Sequence, residues 1–510
     1  MLGRQEPAAR TRLPGAMKSF EAVFKAYDVR GVVPDELDAR MCYAIGVAFS
    51  RFCQAKRVIV ARDARVSGIE LGSAFSDGVL ATGTDVADLG LASTDMLYYA
   101  SGKLDLPAAM FTASHNPGRY NGIKFCLSGA RPVGSETGLV EIRNMAQDPL
   151  GQVVTPGTPA SDARPDANTS GSGNGPTAGR SDHIELLDDY ADHVRSFVDV
   201  ASLRPLKVVA DVANGMGGLV VPRIFARLPF DLHLLYPELD GTFPNHPADP
   251  IQEENLKDLK AAVIEKHADV GLAFDGDADR VFLVDERAEP ISGSLTTALV
   301  AQAMLAKHPG STILYNLICS KVVPEVISES GGAPVRTRVG HSFIKEVMAS
   351  TNAVFGGEHS GHYYFRDNYR ADSGLIAAMI VLEVMSATTE PLSSLTSGFR
   401  RYASSGEINF VVNDPVSAVD AVASICSSSG AHLDRTDGLS VEMGDWWFNV
   451  RPSNTEPLLR LNVEARTEQG CAHGIEEVRS MLRGAKLLDD TEPSGAPEHE
   501  EEHEDSRRES

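Results

Sequence analysis

Short apolar segments alternate with longer amphipathic segments along most of this 510-residue chain, and this alternation constrains the fold more than any other feature. The apolar segments have the length of buried strands and lie at 57–61, 85–89, 207–211, 230–235, 269–274 and 312–315. Segments with helical spacing, such as 69–83 and 254–266, lie between them. Strands that alternate with helices in this way form α/β domains, in which the helices pack on a sheet.

The last part of the chain, from about 404 to 487, follows a different pattern. Its strand-like segments are typical of an antiparallel sheet and lie at 408–412, 439–442, 446–451 and 459–464. Helical segments lie near 417–427 and 471–483. Because a chain of this length is too long for one hydrophobic core, we expect three α/β domains followed by a smaller α+β domain.

Three segments have compositions that do not favour a packed core. Gly, Pro, Ser, Thr and Ala dominate residues 151–181, which we interpret as a flexible insert or linker. Residues 1–19 are polar, and residues 488–510 carry ten acidic residues against two arginines, so we expect both ends to be disordered. The remaining boundaries predict domain I at 20–150, domain II at 182–287, domain III at 288–403 and domain IV at 404–487.

Composition and charge exclude several classes of partner. The formal net charge of −23 leaves no basic face that could neutralise many phosphates, so we expect no nucleic-acid partner. No run reaches the roughly 18 apolar residues that span a membrane, and the first residues lack the apolar stretch of a signal peptide. Six scattered cysteines without a CxxC pair suit reduced thiols. We therefore expect a cytoplasmic protein with no membrane partner.

The loop 111–117 places Ser114 between small and polar residues, with His115 beside it. The Asn116-Pro117 pair disfavours a helix at this point. A serine hydroxyl on such a loop can carry a phosphoryl group if other residues neutralise the charge. An ordinary turn between two elements explains the loop alone equally well.

Three carboxylates follow an apolar strand at alternate positions, as Asp275, Asp277 and Asp279. Such a group can converge on a hard divalent cation. The alternatives are an exposed acidic turn and an EF-hand loop, whose twelfth position would be Glu286. The EF-hand fails, because Arg280 occupies the sixth position, where that loop needs glycine, and strands flank the segment. We predict a Mg²⁺ site with room for a phosphate oxygen, which Arg280 can also contact.

A third polar loop lies at 356–362 and contains Glu358, Ser360 and His362 among glycines. Glycine lets a ligand approach the backbone closely. The three polar side chains offer hydrogen-bond donors and acceptors for sugar hydroxyls. A glycine-rich surface turn is the alternative.

The fourth loop, 451–457, is rich in residues that bind anions, and Arg460 follows it. Its guanidinium, hydroxyl and amide groups suit phosphate oxygens and belong to Arg451, Ser453, Asn454 and Thr455. An ordinary turn between strands is again the alternative.

Further candidates are single residues. Tyr27 and Arg30 stand near the start of the first unit, although a structural salt bridge explains Arg30 equally well. Lys124 is a candidate general acid or base if it is desolvated. His341 and Lys345 lie where a loop enters a helix.

A cluster of charges follows the first strand of domain I, with Arg62, Asp63 and Arg65. We interpret this cluster as structural.

Together these loops resemble those of the α-D-phosphohexomutase superfamily. Residues 112–117 resemble its phosphoserine loop, 275–280 its metal loop, 357–362 its sugar-recognition loop and 451–457 its phosphate-binding loop. The resemblance runs in the order of the family from about residue 24 to 483. It implies three similar mixed-sheet α/β domains and a smaller C-terminal α+β domain around a central cleft.

The resemblance also implies roles for single residues. Ser114 would be phosphorylated, and the phosphoserine would bind Mg²⁺ together with Asp275, Asp277 and Asp279. His115 and Lys124 would handle protons beside the catalytic Arg280. Taken with the residue patterns, the candidates for substrate binding are Tyr27, Arg30, His341, Lys345, Glu358, Ser360, His362, Arg451, Ser453, Asn454, Thr455 and Arg460.

Within the superfamily, the chain is most similar to the phosphomannomutase/phosphoglucomutase group. His359 and Asn454 stand where phosphoglucosamine mutases usually have Gln and Gly, and 243–247 also suits the phosphomannomutase branch. The implied partners are mannose or glucose 1-phosphate and 6-phosphate, interconverted through a hexose 1,6-bisphosphate. Phosphoglucomutase, phosphoglucosamine mutase and a non-catalytic phosphosugar-binding protein stay open, as does the choice of monomer or dimer.

Overall fold

The computed structural model describes residues 19–148, 178–412, 414–428, 430–452, 458–485 and 487. The chain divides into two compact units between Tyr402 and Ala403. The first unit contains three sheets and the second contains one.

The first sheet has seven strands. They are β1 (Val29–Val32), β2 (Arg57–Arg62), β3 (Asp85–Leu91), β4 (Ala108–Phe111), β5 (Tyr120–Leu127), β6 (Arg131–Pro132) and β7 (Ser181–His183). The α-helices are α1 (Phe20–Val23), α2 (Ala39–Cys53), α3 (Ser67–Ala81), α4 (Thr94–Leu104) and α5 (Val140–Gln147). The strand order is β1-β5-β4-β2-β3-β7, with β6 beside β5. Strands β2, β3, β4 and β7 are parallel, while β5 is antiparallel to both β4 and β1.

The prediction that 151–181 lacks structure is wrong for its last residues. Gly179 donates its N–H to Leu80 O at 2.9 Å, Arg180 pairs with the backbone at the edge of β3, and Ser181 begins β7. The edge of β3 presents backbone groups that need partners, and the returning chain satisfies them whatever its composition. Residues 151–177 lie outside the described part of the chain.

The second and third sheets follow the same plan. The second contains β8 (Lys207–Asp211), β9 (Asp231–Leu235), β10 (Val270–Phe274), β11 (Val281–Asp285) and β12 (Pro290–Ile291), with helices α6 (Leu187–Arg195), α7 (Gly217–Phe225) and α8 (Lys257–Lys266). The third contains β13 (Thr312–Asn316), β14 (Ala333–Thr337), β15 (Phe355–Gly357) and β16 (Tyr363–Phe365), with helices α9 (Gly293–Lys307), α10 (Val322–Glu329), α11 (His341–Thr351), α12 (Gly374–Ser386) and α13 (Leu392–Ser397). Their strand orders are β12-β11-β10-β8-β9 and β14-β13-β15-β16.

Local chemistry explains these elements. Every residue of β10 and β11 is buried, as their continuous apolar sequences predict for strands covered on both faces. Helices α9 and α12 begin where a serine caps them: Ser292 accepts from the N–H of Leu295, and Ser373 accepts from that of Ile376. One buried apolar core joins the three sheets.

The three sheets share a motif that positions the polar loops. In each, two parallel strands flank a first strand, and a fourth strand runs antiparallel to one of them; these sets are β3-β2-β4-β5, β9-β8-β10-β11 and β14-β13-β15-β16. The serine, metal and sugar loops each connect the third strand of this set to its antiparallel fourth. The same turn of the fold therefore supplies all three.

The second unit is an antiparallel sheet with two helices. Its strands are β17 (Ala403–Val411), β18 (His432–Asp434), β19 (Leu439–Glu442), β20 (Trp446–Pro452) and β21 (Leu458–Ala465), and its helices are α14 (Pro415–Ser428) and α15 (Glu468–Gly484). The order is β17-β21-β20-β19-β18. The predicted fold class, three mixed-sheet α/β domains and a smaller α+β domain, is confirmed. Among the described helices, none is long and apolar enough to cross a membrane.

Candidate active site

Ser114 lies in the loop between β4 and β5 and is 2% exposed. Its φ of 51° places it in the left-handed region, which costs a residue with a side chain about 1 kcal/mol. The hydroxyl of Thr112 accepts the Ser114 N–H at 2.9 Å. Surrounding contacts therefore hold the serine in a conformation that the isolated loop would disfavour.

Two charged residues from the metal loop hold the serine hydroxyl. Ser114 Oγ lies 2.8 Å from Asp275 Oδ2, to which it donates, and it accepts from Arg280 Nη2 at 2.7 Å. Arg280 Nε also lies 3.0 Å from Asp275 Oδ2. The candidate nucleophile is thus hydrogen-bonded to one carboxylate, that of Asp275, and to one guanidinium, that of Arg280.

Asp275, Asp277 and Asp279 form the predicted carboxylate cluster. All three are fully buried, and their ligand atoms lie within 4.8 Å of one another. Oδ1 of Asp277 and Oδ1 of Asp279 have no hydrogen-bond partner among the described residues. Buried polar atoms without a hydrogen-bond partner are costly, whereas a hard divalent cation prefers such oxygens. The residues therefore fit the cation that the sequence predicts.

Lys124 faces this cluster from β5. Its Nζ donates to Asp277 Oδ2 at 2.8 Å and to Asp279 Oδ2 at 2.7 Å. In the antiparallel pairing of β4 with β5, Lys124 lies opposite Met110, and this register places it beside the serine loop. Thr94, which was not predicted as a site residue, also donates its hydroxyl to Asp277 Oδ2 at 2.5 Å. Its only signal is a Ser-Thr-Asp helix start, which predicts a cap and no ligand contact.

Burial and neighbouring charges shift the pKa values of the grouped residues in different directions. Burial raises the pKa of Asp275 well above its ordinary value, more than Arg280 lowers it. Burial alone would also raise the pKa of Asp277, but Lys124 holds it below its ordinary value. Burial would lower the pKa of Lys124, yet the two carboxylates raise it well above the ordinary value, so its ammonium stays protonated.

His115 is a neutral imidazole in this environment. Burial lowers its pKa well below the ordinary value, and the charges of Arg280 and Arg30 lower it further. Arg280 Nη2 donates to His115 Nδ1, so the ring carries its proton on Nε2.

The sugar loop connects β15 to β16 and holds Glu358 buried. Its carboxylate accepts from Tyr364 Oη at 3.0 Å, from the Gly340 N–H at 3.2 Å and from Asn316 Nδ2 at 3.4 Å. Neither Tyr364 in β16 nor Asn316 at the end of β13 was predicted from the sequence.

Ser360 and His362 join this loop to the carboxylate cluster. Ser360 Oγ and His362 Nδ1 lie 3.1 Å apart, and His362 Nε2 lies 3.9 Å from Asp279 Oδ1. The metal and sugar loops are therefore adjacent, as the resemblance implies.

Two candidates from the start of domain I lie beside the other loops. Arg30 pairs with Asp28 at 2.5 Å and donates to Asn116 Oδ1 at 2.5 Å, so it contacts the serine loop as well as a structural partner. Tyr27 Oη donates to Val339 O at 3.2 Å, next to the start of α11.

Lys345 lies on α11 in a buried ion pair with Asp372 at 3.0 Å, and its Nζ is 3.8 Å from the centroid of the Tyr98 ring. Asp372 in turn lies close to Asp279 and His362. His341 is the first residue of α11, and its side chain is outside the described part of the structure.

The fourth loop belongs to the second compact unit. Arg451 Nη2 lies 3.0 Å from Glu407 Oε2, and Arg460 Nη1 lies 3.2 Å from Glu407 Oε1. Ser453, Asn454 and Thr455 fall outside the described residues, so their proposed role stays a prediction.

Four sequence profiles of one family match the chain in order. They are described as phosphoglucomutase/phosphomannomutase alpha/beta/alpha domain I, domain II, domain III and the C-terminal domain, and they match residues 21–148, 188–289, 292–402 and 407–480.

Individual proteins show the same similarity. A Xanthomonas campestris pv. campestris protein named phosphohexose mutases is 40% identical over 464 residues, which cover 90% of this chain and 99% of that protein. A phosphomannomutase of Escherichia coli is 38% identical over 450 residues, covering 87% and 94%. The crystal structure of a phosphoglucomutase/phosphomannomutase family protein from Burkholderia thailandensis is 32% identical, with a TM-score of 0.81 over 92% of this chain and 98% of that one.

Proposed function

The chain belongs to the phosphoglucomutase/phosphomannomutase family and is a phosphohexomutase, an isomerase, and from this premise we propose that it is a phosphomannomutase. The proposed reaction interconverts mannose 1-phosphate and mannose 6-phosphate through a phosphorylated Ser114 and a hexose 1,6-bisphosphate. Glucose phosphates are further proposed substrates. The non-catalytic alternative is not retained, since relatives that are 38–40% identical to this chain are named as mutases.

The contact of Ser114 Oγ with both Arg280 and Asp275 is the observation that carries this proposal. A phosphoryl group on Ser114 would place its negative oxygens next to the Arg280 guanidinium. Catalysis of phosphoryl transfer consists mainly of positioning and charge neutralisation. The buried carboxylate cluster supports Mg²⁺ as the cofactor, held by Asp275, Asp277 and Asp279. When bound, this cation would neutralise charge on the phosphoryl oxygens.

The proposed phosphoryl transfer takes place in two steps. In the first, the Oγ–P bond of phosphoserine breaks, a bond forms between phosphorus and the free hydroxyl oxygen of the hexose monophosphate, and the hydroxyl proton passes to a base. His115 and Lys124 are the groups proposed to take up this proton and to return one to the serine oxygen. After the bisphosphate turns around, the second step returns its other phosphoryl group to Ser114.

Substrate recognition is proposed to use the polar loops. Glu358, Ser360 and His362 would bind sugar hydroxyls in both orientations of the intermediate, which suits a short loop with several donors and acceptors. Arg451 and its loop would hold the remote phosphate, together with Arg460. The remaining candidates, Tyr27, Arg30, His341 and Lys345, are proposed to complete the site.

The substrate preference rests on sequence. A relative that is 38% identical is named phosphomannomutase, and His359 and Asn454 depart from the usual phosphoglucosamine mutase residues. A cytoplasmic location is part of the proposal and suits cysteines that remain thiols.

Replacement of the nucleophile tests the proposal. With Mg²⁺ and a hexose 1,6-bisphosphate activator, Ser114→Ala is expected to lower kcat by roughly 10³-fold or more, while calorimetry still detects mannose 1-phosphate binding. Intact-mass spectrometry should find one phosphate on the wild-type protein and none on the variant.

Ser328→Ala is the matched control, because Ser328 is an exposed serine on α10 and should leave phosphate and turnover unchanged. Near-normal turnover of Ser114→Ala would remove the phosphoserine mechanism. Comparison of kcat/KM for mannose, glucose and glucosamine 1-phosphates tests the substrate, and a preference for glucosamine would favour the phosphoglucosamine mutase alternative.

A further inference from the structure

Arg65 is fully buried and directs its guanidinium at the serine loop. Its two terminal nitrogens donate to three backbone carbonyls of that loop and to one at the start of β5, at distances of 2.6 to 3.0 Å. The accepting carbonyls belong to Ser114, Asn116, Pro117 and Tyr120. One side chain therefore fixes the backbone of the proposed nucleophile and of the segment that follows it.

Asp63 holds this guanidinium in place. Its Oδ2 lies 3.1 Å from Arg65 Nε, and its Oδ1 accepts the Arg65 N–H at 2.9 Å. The N–H of Asp63 donates to Phe111 O at 2.9 Å, at the end of the strand that leads into the serine loop. The charge cluster predicted to be structural is thus part of the support of the nucleophile.

The loop 240–247 of the second domain covers Arg65. The Phe243 ring centroid lies 5.0 Å from Arg65 Cζ. A Cβ added at Gly241 would lie 2.3 Å from Arg65 Cα, and one added at Gly276 would lie 2.5 Å from Ser114 O and 3.2 Å from Phe243 Cζ. Phe243 therefore packs between Arg65 and the metal loop.

Contacts within the second domain anchor the covering loop itself. His246 Nε2 lies 3.0 Å from Asp211 Oδ2, and Asn245 Nδ2 donates to Asn214 Oδ1 at 2.7 Å. The motif Phe-Pro-Asn-His-Pro at 243–247 thus has a structural reason: it fastens the second domain over the base of the serine loop.

We propose that Arg65, covered by Phe243, is a positioning residue that fixes Ser114 for phosphoryl transfer. The inference rests on the proposed function. Ser114 has a left-handed backbone, and a displacement of about 1 Å at a reacting group costs roughly 10²-fold in rate. The rigid planar fork of arginine can serve four carbonyls at once, whereas the compact ammonium of lysine cannot.

Arg65→Lys tests this role because it keeps the charge and removes the fork. It is expected to lower kcat by roughly 10²-fold while KM for mannose 1-phosphate stays within about twofold of wild type. In single-turnover mixing of phosphorylated enzyme with mannose 1-phosphate, the loss of phosphate from Ser114 should slow by the same factor as kcat.

Phe243→Leu is the second variant, since it preserves an apolar cover and loses the ring over the guanidinium. A smaller fall in kcat, again without a matching change in KM, is expected. Arg57→Lys is the control, because Arg57 pairs with Asp182 at the surface and should leave both constants unchanged.

Wild-type kcat in a folded Arg65→Lys protein, or equal changes in kcat and 1/KM, would overturn the positioning role. If Arg65→Lys does not fold, Phe243→Leu decides in the same assay, and an unchanged kcat there overturns it. If the wild-type protein carries no phosphate on Ser114 and shows no mutase turnover, the proposed function fails, and this inference fails with it.

Discussion

At the scale of single residues, the positive side chains of the site lie next to its buried carboxylates. Lys124 donates hydrogen bonds to Asp277 and Asp279, while Arg280 pairs with Asp275 and donates to the Ser114 hydroxyl. Two carboxylate oxygens still lack hydrogen-bond partners within the described residues. A bound cation would therefore neutralise the same carboxylates as the ammonium.

Replacement of Lys124 tests, through the thermal stability of the protein, whether ammonium and cation neutralise the same carboxylates. Lys124→Met leaves two buried carboxylates without their ammonium, and breaking such a pair costs about 3–5 kcal/mol. In the presence of a chelator we expect a clearly lower Tm than for wild type. Added Mg²⁺ should raise the Tm of both proteins, because a ligand stabilises the state that binds it. The rise should be larger in the variant, because there the cation alone neutralises the two carboxylates.

Lys103→Met provides the matched control. Lys103 pairs with Asp189 at the surface, and an exposed pair contributes only about 0–1 kcal/mol. Its Tm should change little and should respond to Mg²⁺ as wild type does. An equal Mg²⁺ response in Lys124→Met and wild type would contradict a shared role of ammonium and cation.

At the scale of helices and strands, several regular elements could be predicted because their signals are local. The apolar run at 57–61 is strand Arg57–Arg62, and the predicted helix 471–483 is Glu468–Gly484. The contribution of Thr94 could not be predicted, since its partner Asp277 is 183 residues away. The four carbonyl contacts of Arg65 depend on tertiary packing in the same way.

Three elements meet at one buried carboxyl group. Asp95, in the first turn of α4, accepts from Ser93, from Tyr190 of α6 and from Ser373, the N-cap of α12, the last at 2.8 Å. Burial raises the pKa of Asp95 to about 7, against the lowering by these hydroxyl donors. The negative charge of Asp279 raises it further.

This shift predicts how stability depends on pH. Between about pH 4 and 7 the folded protein holds a proton on Asp95 that the unfolded chain has released, so this group lowers stability as pH rises. Asp95→Asn removes the titrating group. The urea midpoint of the variant relative to wild type should therefore increase from pH 5 to pH 7.

Asp105→Asn is the control, because Asp105 is an exposed residue that ends α4 in a left-handed conformation, which asparagine also adopts. Its midpoint relative to wild type should be independent of pH. A difference for Asp95→Asn that is also flat between pH 5 and 7 would contradict the role of Asp95.

At the scale of the whole molecule, one strand arrangement is used three times, and each copy contributes one polar loop to the first compact unit. The order of the loops along the chain, and hence the family, could be predicted from the sequence. Their approach to one another could be predicted only from the resemblance and not from local signals, because packing between domains brings Ser114, Asp275 and Glu358 together. The pairing of β7 with β3 also escaped prediction, since a sheet edge recruits a strand without a local signal.

The second compact unit has a hydrophobic core of its own, with Phe448 and Val450 of β20 at its centre and α14 and α15 packed on the sheet. A segment of this size lies within the range in which single domains fold alone. We therefore expect a fragment of residues 403–487 to unfold cooperatively in urea, followed by circular dichroism, with dispersed amide signals in NMR spectra. Phe448→Ala should abolish or strongly weaken this transition, because loss of a buried phenylalanine costs about 3–5 kcal/mol. A fragment without a cooperative transition would show that the C-terminal unit depends on the rest of the chain for its fold.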